Sequence, residues 1–451
     1  MNKRYVEYAI RLYAESYNKR QFAPSFYIIF TKKYTNIYFT MITYNQFLRL
    51  KKPRDLPEGD FMTIAIVIDL IDCLTNGSVM TARRFADGLR AKGHEVRLVA
   101  IGADGENDCD VKERYVPVLT EVSAKNQIKF GKFDEEKIRK AFTGVDIVHF
   151  IFPFKLEKKC KQLADEMGIP TTAAFHVQPE NVSYNAHLGW CKPFNNLVYA
   201  WFRRTFYKNF DRIHCPTAFI AQQLADHGYK GELYVISNGY DPAFVPPAKR
   251  HANGKFEIVM TGRLAPEKNQ QVIIRAIARS KYKDSIHLTL LGNGPCKGKL
   301  EALAAKLGVD VSFDFLPKDR LIKRLQESDL YVHAASVEIE AIAAIEAIAC
   351  GLVPVIAESN LSATKQFALD SRSLFKDNDA DELAEKVDYW YEHPSERAAM
   401  GGRYAIFAKK FSLANSLSLA EQMFADEISE YRARKLSVRE EFVPRFSLFT
   451  R

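Results

Sequence analysis

The chain has no Cys-x-x-Cys pair. Its seven cysteines stand at positions 73, 109, 160, 191, 215, 296 and 350, an odd number with wide gaps. That pattern argues against a zinc knuckle or a disulfide framework and fits a reducing cytosol. No uninterrupted apolar run is long enough to cross a bilayer. The N-terminus has no clean apolar core ahead of a small-residue cleavage site, so no secretory signal is expected. Any membrane contact is then peripheral, and the expected location is cytoplasmic, on the inner face of the cell membrane. No nucleic-acid motif is recognisable, and nucleic acid is not an expected partner. There is no low-complexity tract, and no internal repeat beyond a weak likeness of two halves.

What is present is the composition of a soluble globular protein, 47% hydrophobic and 26% charged. A length of 451 residues suggests two or three domains. Lysine and arginine number 64 against 55 acidic residues, a formal charge of +9. The surplus favours anionic partners, such as a nucleotide-sugar or an anionic lipid surface.

Residues 1–61 stand apart as an N-terminal extension. They are basic, rich in tyrosine and phenylalanine, and end in the linker 51–60. They read either as an added helical or membrane-facing segment or as a non-essential extension with Met62 as the functional start, and the second is preferred. From Met62 the rhythm becomes β/α, with apolar strands at 63–68, 96–101, 147–151, 170–174 and 212–215 and a helix over 81–92. Proline and glycine punctuate 240–254, which marks a boundary. A second series follows at 257–260, 286–291, 311–315, 330–333 and 353–357. Strands that are apolar throughout, alternating with amphipathic helices, imply parallel sheets covered on both faces. The expected divisions are 62–245 and 246–411, then a helix over 412–431 and a basic tail over 432–451.

The most informative stretch runs from His333 to Pro354. A short strand is followed by a loop and by an alanine- and isoleucine-rich helix that stops at Gly351. Glu338 falls in the loop and Glu346 on the helix, with seven residues between them. A carboxylate beside the free N–H groups of a helix start can hold a sugar hydroxyl next to a phosphate. A second carboxylate two turns on can hold the two hydroxyls of a ribose. On spacing alone, an acidic helix start that favours the macrodipole accounts for the pattern equally well.

The neighbouring motifs favour the ligand reading. The pair Glu338/Glu346 resembles the E-x7-E signature of the retaining glycosyltransferases of family four, which have the two-domain GT-B fold. Thr261-Gly262-Arg263 through Lys268-Asn269 resembles the family's G-R-x4-K segment. Val235-Ile236-Ser237-Asn238-Gly239-Tyr240-Asp241 resembles its hinge-side V-I-x-N-G-V-D. Asp146-Ile147-Val148-His149, Gly168-Ile169-Pro170 through His176, and Asn76-Gly77 with Gly93-His94-Glu95-Val96 resemble further segments. All occur in the family's order between about residues 62 and 424. The implied fold is α/β, with two facing Rossmann-like, doubly wound parallel-sheet domains and a C-terminal helix crossing back.

The resemblance implies that a hexose moves from a nucleoside-diphosphate sugar, UDP preferred to GDP, to a hydroxyl acceptor with retention of configuration. Glu338, His176, Arg263 and Lys268 are the implied catalytic residues. Gly77, Gly292, Gly294, Ile339 and Glu346 join Arg263, Lys268 and Glu338 in donor binding. Arg263 and Lys268 would stabilise the leaving diphosphate as two fixed cations, so neither a metal nor another cofactor is expected. His176 would bind a sugar hydroxyl, and Glu180 in the same loop is a further acceptor-side candidate. The chain departs from the family's P-F-G after the first glutamate, having Ile339-Glu340-Ala341 instead. This leaves open a catalytically silent protein that keeps the cleft. Asp108-Cys109-Asp110 and Asp377-Asn378-Asp379 match a metal-binding D-x-D and are read as chance.

The segment 190–210 mixes Trp190, Phe194, Leu197, Trp201, Phe202 and Phe206 with Lys192, Arg203, Arg204 and Lys208. It suits a helix in the interface of an anionic membrane, which makes the acceptor a lipid such as diacylglycerol. It equally suits an amphipathic helix packed on the sheet, which leaves an enzyme of soluble polysaccharides or small glycosides as the alternative.

Overall fold

A computed structural model describes residues 26–33, 36–43, 61–72, 77–115, 129–185, 191–248 and 254–441. Asn76, Trp190 and the tail residues 442–451 lie outside them, as does most of the extension. The chain divides into two units, Met1–Asp55 and Leu56–Arg451. The described part of the first is an antiparallel hairpin of Phe26–Lys33 with Asn36–Thr43, in which Phe26 faces Thr43 and Lys33 faces Asn36. A strand pair therefore stands where a helix was one expectation. The aromatic and β-branched run F-Y-I-I-F-T explains it, since such residues favour the pleated backbone.

The second unit holds two large parallel sheets and a small one that pairs Val337–Glu338 with Leu361–Ser362. The first has seven strands, in spatial order Cys109–Asp110, Glu95–Ile101, Thr63–Leu70, Ile147–Phe150, Thr171–Ala174, Arg212–Cys215 and Glu232–Val235. The second has six, in spatial order Val311–Asp314, Ile286–Leu291, Phe256–Thr261, Leu330–His333, Val353–Glu358 and Leu374–Lys376. In both, the first strand in sequence lies in the interior and the order reverses beside it. Such an order opens a crevice beyond the carboxyl ends of the strands at the point of reversal. In the second sheet that point lies between Phe256–Thr261 and Leu330–His333. The strands are buried along nearly their whole length, as helices on both faces require. The six cysteines among the described residues are free thiols. No helix among the described residues is long and apolar enough to cross a membrane.

The helix Leu413–Glu441 leaves the second domain and returns to the first. Leu417, Ala420, Met423, Phe424 and Ile428 enter the core formed by Ile64, Val79, Phe85 and Leu89. Charged groups then fix its azimuth. The Met62 N–H donates to His94 Nδ1 at 3.1 Å. The proton of His94 therefore sits on Nε2, which donates to Glu421 at 2.8 Å. Arg212 and Glu427 meet at 2.7 Å with side chains 2% and 3% exposed. The helix runs ten residues further than the expected 412–431, into what reads as tail. Lys435 donates to the Gly168 carbonyl at 3.0 Å, and Arg434 pairs with Asp211 and with Glu427. Those contacts extend the helix along the first domain, and no sequence pattern announces them.

Glu427 is the buried carboxylate on Arg212, which also meets Glu430 at 2.5 Å and so keeps a partner without it. Replacing Glu427 with alanine is expected to lower unfolding free energy by about 1.5–3 kcal/mol, the worth of a hydrogen bond to a charged group, read from urea denaturation. Glu427→Gln, which keeps an acceptor for Arg212, should lose less.

Candidate active site

Two loops meet at the point of reversal in the second sheet. One leaves strand Phe256–Thr261 and carries Arg263 and Lys268 to the helix Gln270–Arg279. The other leaves strand Leu330–His333 and carries Glu338 to the helix Ile342–Ala349. They are joined along their length. The Ser336 N–H donates to the Glu267 carbonyl at 3.0 Å, and Asn269 Nδ2 lies 2.5 Å from Ser336 Oγ. Lys268 Nζ pairs with Glu338 Oε1. His333 Nε2 lies 3.2 Å from the same oxygen, and its Nδ1 lies 3.1 Å from the hydroxyl of buried Tyr331.

The Glu338 side chain is only 12% exposed. Burial works against its charge, but Lys268 and His333 overcome that penalty and hold its pKa down at about 2. The carboxylate is thus ionised and offers lone pairs to hydroxyl donors at any ordinary pH. Two residues on, burial pushes Glu340 up to about 7, with Ser237 and Asn238 opposing through hydrogen bonds. The extra carboxyl of the divergent Ile339-Glu340-Ala341 therefore faces the chain and not solvent. Its Oε2 accepts the Asn238 N–H at 2.9 Å.

Ala341 adopts φ 65° and ψ 68°, the left-handed region. Ala341 stands where the family has glycine, and it holds a conformation that glycine adopts without strain. An L-residue there costs about 1–2 kcal/mol. Ala341 also brings no side-chain cap to the helix Ile342–Ala349. The helix start is left to other partners.

The remaining expected residues are placed as follows. Arg263 is exposed on its loop, and its carbonyl is held by Gln270 at 2.9 Å. Gly292 and Gly294 press directly on the Gly262–Leu264 backbone; an added Cβ would lie 1.9 Å from the Gly262 oxygen and 2.3 Å from the Leu264 oxygen. Their glycines serve loop-on-loop packing, which sets the height of Arg263. Gly77 opens the helix Gly77–Ala91, and an added Cβ there would meet nothing within 4 Å. Ile339 packs against the first domain's core, and its carbonyl accepts from Thr217 at 3.0 Å. Glu346 is buried and bonded to Arg84 of the first domain at 3.1 Å.

His176 lies in the short loop between Thr171–Ala174 and Pro179–Asn185 and is 5% exposed. Burial, and then the neighbouring His214, depress its pKa well below the usual histidine value, so it is neutral. Its Nε2 is buried without a partner among the described residues. Buried polar atoms are seldom left so, which makes this nitrogen a candidate ligand contact. Glu180, the further acceptor-side candidate, accepts the buried Tyr199 hydroxyl at 3.0 Å. The helix Pro179–Asn185 that it anchors packs on Pro266–Lys268 and Val337–Glu338, bringing the first domain onto the cation–carboxylate pair.

Both D-x-D matches are occupied by the fold. Asp108 accepts from the Leu98 and Gly105 N–H groups and from Arg90, and Asp110 from the Gly102 N–H. Asp379 caps the helix Ala380–Glu392. Asp377 follows the end of the strand Leu374–Lys376, where it accepts from Ser336 Oγ at 2.7 Å. Among the described residues, no group of three or more His, Cys, Asp or Glu side chains is placed to hold a metal. Sequence reasoning missed His333, although its place at a carboxyl strand end was a usable signal. It also missed Arg84, for which there was none.

Residues 75–244 match the protein family described as Glycosyltransferase Family 4, and residues 244–405 the one described as Glycosyl transferases group 1. The chain is 26% identical over 234 residues to an alpha-monoglucosyldiacylglycerol synthase of Streptococcus pneumoniae. That match spans 48% of this chain and only about half, 52%, of the relative. The catalytic domain of a cholesterol-alpha-glucosyltransferase from Helicobacter pylori is 51% identical, over 35% of this chain and 99% of that one, with a TM-score of 0.33. Anabaena HepE, solved with UDP and glucose, superposes with a TM-score of 0.61 at 13% identity, over 81% of this chain and 99% of that one.

The depressed Glu338 pKa is also a statement about stability. A carboxylate lowered from 4.5 to about 2 stabilises the fold above its unfolded value and loses that contribution as pH falls toward 2. Lys268→Met should therefore unfold more easily than the parent by a few kcal/mol at pH 7, an order of magnitude set by the shift. The gap should narrow steadily between pH 4.5 and 2, as measured by urea denaturation across pH.

Proposed function

Since the chain belongs to the family-four glycosyltransferases of GT-B fold, we propose that it moves a hexose from a nucleoside-diphosphate sugar to a lipid hydroxyl with retention of configuration. The observation that carries this reading is the Lys268–Glu338 pair, set where the second sheet reverses and faced by the first domain. UDP is the preferred nucleotide, in keeping with the fold shared with a neighbour solved with UDP and glucose.

In this reading the diphosphate lies against Lys268 and Arg263 and over the uncapped start of the helix Ile342–Ala349. Glu338, ionised, accepts from hydroxyls of the donor sugar. Glu346 accepts from the ribose. His176, neutral, can donate from one nitrogen and accept at the other, which suits a sugar or acceptor hydroxyl. The acceptor oxygen bonds to the anomeric carbon on the face the diphosphate leaves. The bond from that carbon to the phosphate oxygen breaks, and the acceptor's proton passes to the departing phosphate. Lys268 and Arg263 stabilise the charge that develops there, so no metal is invoked. The protein positions both partners and supplies no nucleophile.

The helix Lys192–Thr205 supports a lipid acceptor. Tyr199, Phe202, Phe206, Tyr207 and Phe210 are core residues, as the packing alternative expected. Phe194, Leu197 and Trp201 are 37%, 64% and 50% exposed and share one face, near exposed Lys192, Arg204 and Lys208. Arg203 is excluded from that face, since it donates to the His227 and Gly228 carbonyls at 2.6 and 3.2 Å. An apolar stripe edged by cations fits a membrane interface. It sits one helix away from the site, because Lys192–Thr205 packs on Pro179–Asn185. Diacylglycerol is the acceptor of choice, in line with the Streptococcus pneumoniae relative.

Purified protein is expected to release UDP from a UDP-hexose when vesicles contain diacylglycerol, with cholesterol vesicles and GDP-hexose as the competing arms. Lys268→Ala and Glu338→Ala should each lower kcat by roughly a hundredfold or more. Undiminished turnover in both removes the site assignment. Vesicle flotation should be salt-sensitive and should weaken several-fold in Leu197→Ser/Trp201→Ser and in Arg204→Glu/Lys208→Glu. Unchanged flotation removes the membrane-facing role of this helix.

A further inference from the structure

Arg84 lies midway along the helix Gly77–Ala91 of the first domain and belongs to none of the family's motifs. Its guanidinium reaches across to the second domain. Nη2 donates to Glu346 Oε1 at 3.1 Å, and Nη1 donates to the Gly239 carbonyl at 3.1 Å. The two side chains are 18% and 11% exposed. The pair is thus partly desolvated, which strengthens it, yet still open enough for a ligand to meet.

Gly239 lies on the passage between the domains. It has φ 73°, and an added Cβ would fall 2.8 Å from Leu413 Cα, at the root of the crossing helix. Holding its carbonyl ties the Arg84 head to the junction itself. The preceding residue is tied from the other side, by Glu340. A continuous set of bonds therefore runs from Glu340 through residues 238 and 239 to Arg84 and on to Glu346.

Burial raises the Glu346 pKa above its ordinary value, and the neighbouring cations only partly offset it. Arg84 is the leading influence toward the anion. Asp241 faces the site and opposes it, while Lys318 helps but is itself paired with Asp241. Buried Tyr331, on the neighbouring strand, is the other titratable group that senses Glu346. Only the anion can accept from both hydroxyls of a ribose without carrying a proton of its own.

We propose that Arg84 is a positioning residue for the donor nucleotide: supplied by the first domain, it orients Glu346, so that the ribose is held firmly only when the two domains stand together. This rests on Glu346 being the ribose-binding carboxylate. Its consequence is that nucleotide recognition, assembled almost wholly from the second domain, is conditional on the first. Open and closed arrangements then differ in donor affinity through a single guanidinium.

The test is calorimetric binding of UDP and 2′-deoxy-UDP to the parent, Arg84→Met, Arg84→Gln, Arg84→Lys and Glu346→Gln. A lost hydrogen bond to a charged group should cost the parent about tenfold in affinity for the deoxy nucleotide. In Arg84→Met the ratio should fall toward one, through weaker binding of UDP with 2′-deoxy-UDP little changed. Arg84→Lys should restore part of it. Arg84→Gln, which can still donate to the Gly239 carbonyl, should behave like Arg84→Met and covers the case in which the methionine variant folds poorly. A parent-like ratio in Arg84→Met and Arg84→Gln, with the ratio lost in Glu346→Gln, overturns the role of Arg84 and keeps the ribose site. Equal losses for both nucleotides in the Arg84 variants mean that Arg84 meets the phosphates and also overturn it. A parent that does not discriminate removes the ribose site itself, and the proposal with it.

Discussion

A carboxylate that is nearly buried and still charged governs this molecule. Glu338 keeps its charge because Lys268 stands against it and His333 lies 3.2 Å away. Those three groups come from two loops, and the loops meet only because the second sheet reverses its strand order between them. The seryl, asparaginyl and backbone bonds around Ser336 hold the loops together. Without them Lys268 and Glu338 would be separate surface charges, each well solvated and of little consequence.

The same pair sets the neighbourhood. It fixes the loop that ends in the left-handed Ala341, and so aims the start of the following helix. It gives the first domain a surface to pack on, through Pro179–Asn185. The seam between the domains carries polar bonds beside the packing of Ile339: Thr217 to Ile339, Gln178 to the Leu361 carbonyl, Asn238 to Glu340, Arg84 to Glu346. Polar interfaces between domains of one chain make relative motion of the domains the ordinary expectation. The crossing helix is the contrast. Its apolar face enters the first domain's core and Glu427 on it is buried against Arg212, so it ties the second domain's chain to the first.

Much of this was legible. Apolar strands and the proline- and glycine-marked boundary implied two parallel sheets, because burial on both faces leaves few alternatives for such strands. Glu338, Arg263 and Lys268 could be placed beyond strand ends, and Glu346 on the following helix, for the same reason. The helix Lys192–Thr205 was legible as amphipathic, but composition could not say which aromatics faced inward; Phe202 did and Trp201 did not. Gly292 and Gly294 were read as ligand contacts, yet what demands glycine there is the Gly262–Leu264 backbone. The extension of the last helix to Glu441 was hidden, since a basic run carries no sign of the Asp211 and Glu427 carboxylates waiting far away in sequence.

The chain's own order of residues determined the element types, the two-sheet architecture and the local chemistry of each loop, because these follow from periodicity, turn residues and charges close in sequence. Only the folded structure decided which charges meet. Lys268 and Glu338 are 70 positions apart, and Arg84 and Glu346 are 262 apart. Electrostatic energy depends on distance through space and on how much water is excluded, and neither is written in the spacing of residues along a chain.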